Sequence, residues 1–290
     1  MGDVMSNPYL NFAAGFDRLL KKGKTIRMED ASAASRPLLS EKALKVLLFS
    51  PHPDDECITG ALPLRLLREL KMNVINVAVT LGSRKDRQLE RLKELKRACN
   101  FIGFGLVTLG DRGLEKVNLK GRKEDPGNWA KGVDAAANLI RETQPSIIFV
   151  PHEGDWNSTH IGTCHLVNEA MGRLEPSFHC RVVETEFWAA MSNPNLMIES
   201  SVADVGDIVA AISLHAGEVE RNPYHLRLPA WMQDNVRRGG ELVGGQGGAA
   251  PDYAFSTLYR VSNFTQNKRT PLFEGGRCVS CNESLSAIFG

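Results

Sequence analysis

Two rhythms of apolar and polar positions alternate along this chain. Short, unbroken apolar runs recur at 45–50 (Lys45-Val46-Leu47-Leu48-Phe49-Ser50), 73–81 (with Val74, Ile75, Val77, Ala78 and Val79), 106–109, 146–150 and 182–188. Such runs predict strands buried on both faces. Between them lie longer stretches with apolar residues three and four apart, which predict helices: 59–70 (Leu62, Leu66, Leu67, Leu70), 84–101 (Leu89, Leu92, Leu95, Ala98), 128–143 and 160–173. A leading helix is expected over 6–22, followed by a loop at 31–37. A further helix is expected over 204–225, with Ile208, Ala211, Ile212 and Val219 inward, and a late strand over 253–261. The segment 237–252 holds glycines 239, 240, 244, 245, 247 and 248 but lacks the Gly-Lys-Ser/Thr ending of a phosphate loop. It reads as a mobile surface loop, with a lid as the alternative.

Strands alternating with helices predict an α/β fold: a mostly parallel sheet with helices on both faces. Ligands of such sheets bind at the carboxyl ends of the strands, where strand order reverses. Two polar, ligand-rich clusters, 51–56 and 151–160, each follow directly after a predicted strand.

Composition adds limits rather than detail. The chain has 290 residues, 42% of them hydrophobic, enough for a full core. The expected organisation is one domain over 1–290, with its core at about 45–220, a leading helix and loop at 1–44, and a C-terminal extension at 221–290. A formal net charge of +1 argues against a nucleic-acid partner. The first twenty residues show no long apolar core and no cleavage-site pattern, so no signal peptide is expected, nor any membrane span. Six cysteines are too sparse for a disulfide framework and fit a reducing cytoplasm. Cys278-Val279-Ser280-Cys281 is half of a zinc knuckle without a second pair and reads as a tail feature. Oligomeric state is left open, a homo-oligomer included.

The chemistry is concentrated in Pro51-His52-Pro53-Asp54-Asp55-Glu56. His52 and Asp55 can grip one divalent ion, leaving Asp54 free as a base, which reads as a metal-assisted hydrolase. A turn with a helix N-terminus after it is the competing reading, since Pro-Asp-Asp is good turn chemistry. A third ligand must come from another strand end. His160 in Pro151-His152-Glu153-Gly154-Asp155-Trp156-Asn157-Ser158-Thr159-His160 is the best placed, with His152, His165 and His215 as rivals; His179 and His225 read as structural or surface residues. Trp156 could stack on a ligand or wall the core. Arg91 could fork onto hydroxyls or an anion, or pair with Glu90 or Glu94. Asp111 lies at a strand's carboxyl end.

Several segments line up with one known family. His52-Pro53-Asp54-Asp55-Glu56 followed by Gly60 is similar to its first motif. Arg91, Glu94, Ala98, Ile102 and Gly103 fit its Arg-x-x-Glu-x-x-x-Ala-x-x-x-(Leu/Ile)-Gly helix, and Asp111-Arg112-Gly113 fits its Asp-x-Gly-like turn. Asn157-Ser158-Thr159-His160 falls where the family commonly has His-Pro-Asp-His, and His215 matches a histidine of a later helix. Over about 45–220 the chain thus resembles the PIG-L/LmbE-like zinc-dependent N-acetylglucosaminyl deacetylases. The resemblance implies a Rossmann-like fold and removal of the N-acetyl group from an amino sugar. It implies zinc, with iron or another divalent ion as the alternative, held by His52, Asp55 and His160. Asp54 would be the general base, and Arg91 and Asp111 would lie near sugar hydroxyls. The departure is Asn157 and Thr159: Asn157 can donate to an oxyanion but cannot shuttle a proton, so His215 is expected at the open face of the metal. The competing functions are an amidase that cleaves a larger acyl group from a sugar amine and a catalytically weak carbohydrate-binding protein. Specificity is expected in 112–128, 189–203 and 222–252.

Overall fold

The structure, a computed structural model, describes residues 7–27 and 37–290; the loop expected at 31–37 lies outside these except for Pro37. Nine strands form one sheet: β1 (Lys45–Ser50), β2 (Asn73–Ala78), β3 (Gly105–Thr108), β4 (Ile147–Pro151), β5 (His179–Thr185), β6 (Leu196–Glu199), β7 (Ser256–Thr265), β8 (Lys268–Pro271) and β9 (Arg277–Val279). Their order is β3-β2-β1-β4-β5-β7-β6-β9, with β8 paired to β7. The first five are mutually parallel, β7 runs antiparallel to β5 and β6, and β9 is parallel to β6. The chain walks outward from β1 to β3 and then returns to β4 on the other side of β1. Strand order therefore reverses between β1 and β4, where open α/β sheets place their ligands.

Each face of the sheet is buried, as the unbroken apolar runs require. Along β1, Val46 and Leu48 join one core with the helices Leu62–Arg68, Gln88–Ile102 and Val202–Ser213. Leu47 and Phe49 join the other with the helices Pro126–Thr143 and Ser158–Met171. The alternation is the two-residue pleat of a strand covered on both sides.

Several expectations are corrected. Leu89, expected inward, is 70% exposed. The leading helix, Leu10–Gly23, carries its apolar residues Phe12, Phe16 and Leu19 exposed. The helix expected over 204–225 ends at Ser213; a short helix, Ala216–Val219, and a 3-10 turn, Tyr224–Arg227, follow. Pro223, which lacks an amide hydrogen and restricts the residue before it, bars helix from continuing through 222–223 but does not account for the earlier break at 214–215. The glycine-rich segment is not a loop throughout, because Leu228–Leu242 is a helix with Gly239 and Gly240 buried in it. A Cβ on Gly239 would lie 2.5 Å from Met197 Sδ, and one on Gly240 2.9 Å from the Ala250 nitrogen. Close packing against β6 and against the returning chain thus selects glycine over better helix formers. These contacts tie Gly239 and Gly240 to β6 and to the chain at Ala250. Residues beyond 220 also supply β7 inside the sheet, between β5 and β6.

Candidate metal centre and active site

The two polar clusters meet at the reversal point. Residues 51–56 leave β1, and 152–160 leave the adjacent β4 and enter the helix Ser158–Met171. His52, Asp55 and His160 each offer one ligand atom, all within 4.8 Å of one another. His52 Nδ1 lies 3.2 Å from His160 Nε2. Asp55 Oδ2 lies 3.4 Å from the former and 3.2 Å from the latter, and also accepts the His52 backbone N–H at 2.8 Å. Two imidazole nitrogens and a carboxylate oxygen converging this closely are a donor set suited to a divalent ion. The electrostatics agree. Burial works against charge on Asp55, yet His160 and His52 hold its carboxyl well below the usual range. Burial likewise opposes charge on His160, but Asp55 and Asp155 outweigh it and push the imidazole up to about 10. The site favours positive charge between these groups, the place a cation would take.

Asp155, which sequence reasoning did not single out, is buried and lies 3.6 Å from His160 Nδ1 through its Oδ2. It occupies the position from which a carboxylate fixes the tautomer and orientation of a ligating histidine. Its place five residues before His160 was the available signal. Asp155 also accepts the backbone N–H of Asn157 at 2.7 Å and of Trp188 at 3.1 Å. It thereby joins two loops beside the cluster.

Asp54 sits at φ +112°, a left-handed conformation that is costly for a residue with a Cβ. Its backbone N–H donates to Glu56 Oε2 at 2.9 Å, and Tyr224 donates its hydroxyl to Asp54 Oδ2 at 2.6 Å. Arg91 donates to the Pro53 carbonyl at 2.9 Å and approaches Asp54 Oδ1 at 4.0 Å and Glu218 at 3.8 Å. The structure thus places Arg91 beneath the turn rather than in a surface pair with Glu90 or Glu94. Burial, then the neighbouring Asp55, pushes the Asp54 carboxyl up to about 7, against the pull of His215, Tyr224 and Arg91.

The other expected residues scatter. His215 is fully buried at the break before Ala216–Val219, and its Nε2 bonds Glu56 Oε1 at 2.7 Å. Glu56 in turn holds the Asp54 amide, so His215 reaches Asp54 from behind. Glu56, Cys57 and His215 form a second close group. Asn157 caps the helix Ser158–Met171, its Oδ1 accepting the Thr159 N–H at 2.9 Å. Trp156 is 81% exposed and is no wall of the core. Asp111 is exposed in the turn after β3, the edge strand. Of the ligand rivals, His152 bonds the Ala189 carbonyl, and His165 lies on the helix outside the close group. His179 is exposed and His225 is half-buried.

Comparison with known proteins finds likeness in part of the sequence and in the fold. Residues 47–171 match the family described as PIG-L, GlcNAc-PI de-N-acetylase. A probable N-acetyl-alpha-D-glucosaminyl L-malate deacetylase 2 of Bacillus cereus is 28% identical over 196 residues, 60% of this chain and 84% of that protein. The N,N'-diacetylchitobiose deacetylase of Pyrococcus horikoshii superposes with TM-score 0.52 at 18% identity, covering 90% of this chain and 94% of that one. GalB, the 4-carboxy-2-hydroxymuconate hydratase of Pseudomonas putida KT2440, superposes with TM-score 0.53 at 16% identity, covering 75% and 95%. The structural likenesses establish a shared α/β fold.

Proposed function

Because this chain carries a PIG-L family domain over residues 47–171, we propose that it is a metal-dependent deacetylase. It would remove the N-acetyl group from an N-acetylglucosamine-type sugar or a glycoconjugate bearing one. The observation that carries this reading is the convergence of His52, Asp55 and His160, beside Asp54, at the point of strand reversal. His52, Asp55 and His160 would hold the ion, for which zinc suits the two-imidazole, one-carboxylate set. Bound there, the ion would supply Lewis acidity toward the amide carbonyl and toward water.

The chain's own residues do the rest. Asp54 takes the proton of the attacking water and returns it to the leaving amine. Arg91 and Glu56 hold the strained turn that presents Asp54, and His215 secures Glu56. In this reading His215 acts by position, while Asn157, with its oxygen engaged in the helix cap, keeps only its amide N–H groups for an oxyanion. Exposed Trp156 and half-exposed Trp188 flank Asp155 and offer ring faces to a sugar. Asp111 remains a candidate for a sugar hydroxyl. The same reading treats the chain as one domain acting on a small molecule in a reducing compartment such as the cytoplasm, in keeping with six unpaired cysteines. Among the described residues no helix is long and apolar enough to cross a membrane.

The test is acetate release from a panel of N-acetylated amino sugars and glycoconjugates, with zinc-loaded and chelated protein. Acetate from the loaded protein alone supports the proposal. Release of a larger acid would favour the amidase. Ligand stabilisation without any acid would favour a binding protein, and addition of water to an unsaturated acid would favour a hydratase on this fold.

A further inference from the structure

The family match ends at residue 171, yet the residue bonded most closely to the Asp54 carboxylate comes from beyond it. Tyr224 opens the 3-10 turn Tyr224–Arg227, placed after the helix break at 214–215 and directly after Pro223. Proline fixes its own φ and removes an amide donor, so the chain turns there instead of continuing as helix. The turn is tied down on two sides. Leu226 packs on Gly23 of the leading helix, where an added Cβ would meet it at 2.9 Å. Glu218, just upstream, is held by Arg87 at 3.0 Å and by Arg221 at 2.6 Å.

From this anchored turn the Tyr224 hydroxyl donates to Asp54 Oδ2 at 2.6 Å. Its ring lies 6.5 Å from that of Trp188, whose backbone N–H is fixed by Asp155. A single carboxylate oxygen is therefore taken, leaving Asp54 Oδ1 with its lone pairs for an incoming proton. No other hydrogen bond to the Asp54 side chain occurs among the described residues; Arg91 stays at 4.0 Å from Oδ1. A carboxylate on a strained backbone with one hydroxyl donor depends on that donor for its rotamer.

We propose that Tyr224 is the positioning residue for the general base, and that the 214–227 segment forms a third wall of the active site. This rests on the deacetylase reading and adds to it a residue outside the family segment. The alternative is a purely structural ring that packs against Trp188.

The test compares Tyr224→Phe, Tyr224→Leu, Asp54→Asn and the double variant Asp54→Asn/Tyr224→Phe, each with metal content, melting temperature, kcat and KM. Tyr224→Phe keeps the ring and loses only the hydroxyl. It should lower kcat about 10–100-fold, the usual cost of losing an orienting partner, with KM, metal content and melting temperature near wild type. In the Asp54→Asn background the same change should cost nothing further, because the two residues act as one unit. A wild-type kcat in Tyr224→Phe with a loss only in Tyr224→Leu would overturn the proposal in favour of ring packing. An equal loss in the Asp54→Asn background would overturn it too. A readout independent of turnover is the ring-carbon NMR signal of Tyr224 in tyrosine-labelled protein, assigned through Tyr224→Phe. That signal should move in Asp54→Asn, and a signal that stays put would refute the contact. Absence of acetate release by the wild type would count against the deacetylase reading, while the NMR result would still decide the Tyr224–Asp54 contact.

Discussion

Asp54 and Asp55 are adjacent in sequence and opposite in environment. Asp55 faces two imidazoles that stabilise its charge, while Asp54 is buried next to that charge and is pushed up to about 7. Two like groups driven apart in this way suit different duties, and in the proposed mechanism Asp55 is the ligand and Asp54 the base. Asp54→Asn should therefore keep the metal and the fold and lose about 10²–10⁴-fold in kcat, measured beside metal content. An emptied metal site in that variant would mean the two roles are exchanged. The sign of the pH dependence follows from the direction of the shift. A base with a raised pKa is ionised only above it, so kcat/KM should rise with pH through that value. A cation on Asp55 opposes the shift, so in the loaded enzyme the acid limb should lie at or below pH ~7. A limb well above this would point to another base. Asn157 has a different duty, capping a helix. Asn157→Ala should cost about 1 kcal/mol of stability in a denaturant titration, with His160 and the metal retained.

At the scale of elements, Gly60 shows how the first motif is fitted to the sheet. Its φ is +80°, and a Cβ there would lie 2.1 Å from Thr257 Oγ1 and 2.7 Å from the Tyr259 hydroxyl on β7. Gly60→Ala should destabilise the protein by about 2–4 kcal/mol, combining backbone strain with overpacking; an unchanged melting curve would contradict this. The helix Leu228–Leu242 bears on the site through Arg238. Its guanidinium grips both oxygens of buried Glu186 at 2.8 and 3.0 Å and reaches the Met191 carbonyl at 3.3 Å. That contact pins the 186–191 loop, which carries Trp188. Arg238→Ala leaves the buried Glu186 charge without its cation, held only by the Met191 N–H at 2.6 Å, and should cost about 3–5 kcal/mol, read by urea unfolding.

These elements also mark how far the sequence could be read. The five parallel strands and their helices were legible because each strand is covered on both faces and each helix on one. The strands β6, β8 and β9, of three or four residues, carry too few positions to display a period, and unlike the equally short β3 they lie outside the regular alternation of strand and helix. The helix Leu228–Leu242 was hidden by glycines that serve close packing, a tertiary demand with no local signature. Within the candidate site, His52, Asp54 and Asp55 stood out because they follow the end of β1 directly, and His160 because it closes the polar segment between β4 and the next helix. Tyr224 did not, since its importance lies in what it touches, and Asp155 offered only its spacing from His160. Arg91 was singled out for hydroxyls or a surface pair, and its place under the Pro53 carbonyl depends on a fold contact across 38 residues of chain.

Taken whole, the described residues form one nine-stranded sheet whose parallel half brings the segments carrying His52, Asp55 and His160 together and whose antiparallel half extends it with late strands. The central claim is that His52, Asp55 and His160 hold one divalent ion. The most direct measurement is anomalous X-ray scattering at the zinc edge from crystals of zinc-loaded protein. The account predicts a single strong peak per chain within coordination distance of His52 Nδ1, Asp55 and His160 Nε2, lost in His160→Ala. No peak there, or the main peak at Glu56, Cys57 and His215 instead, would contradict it.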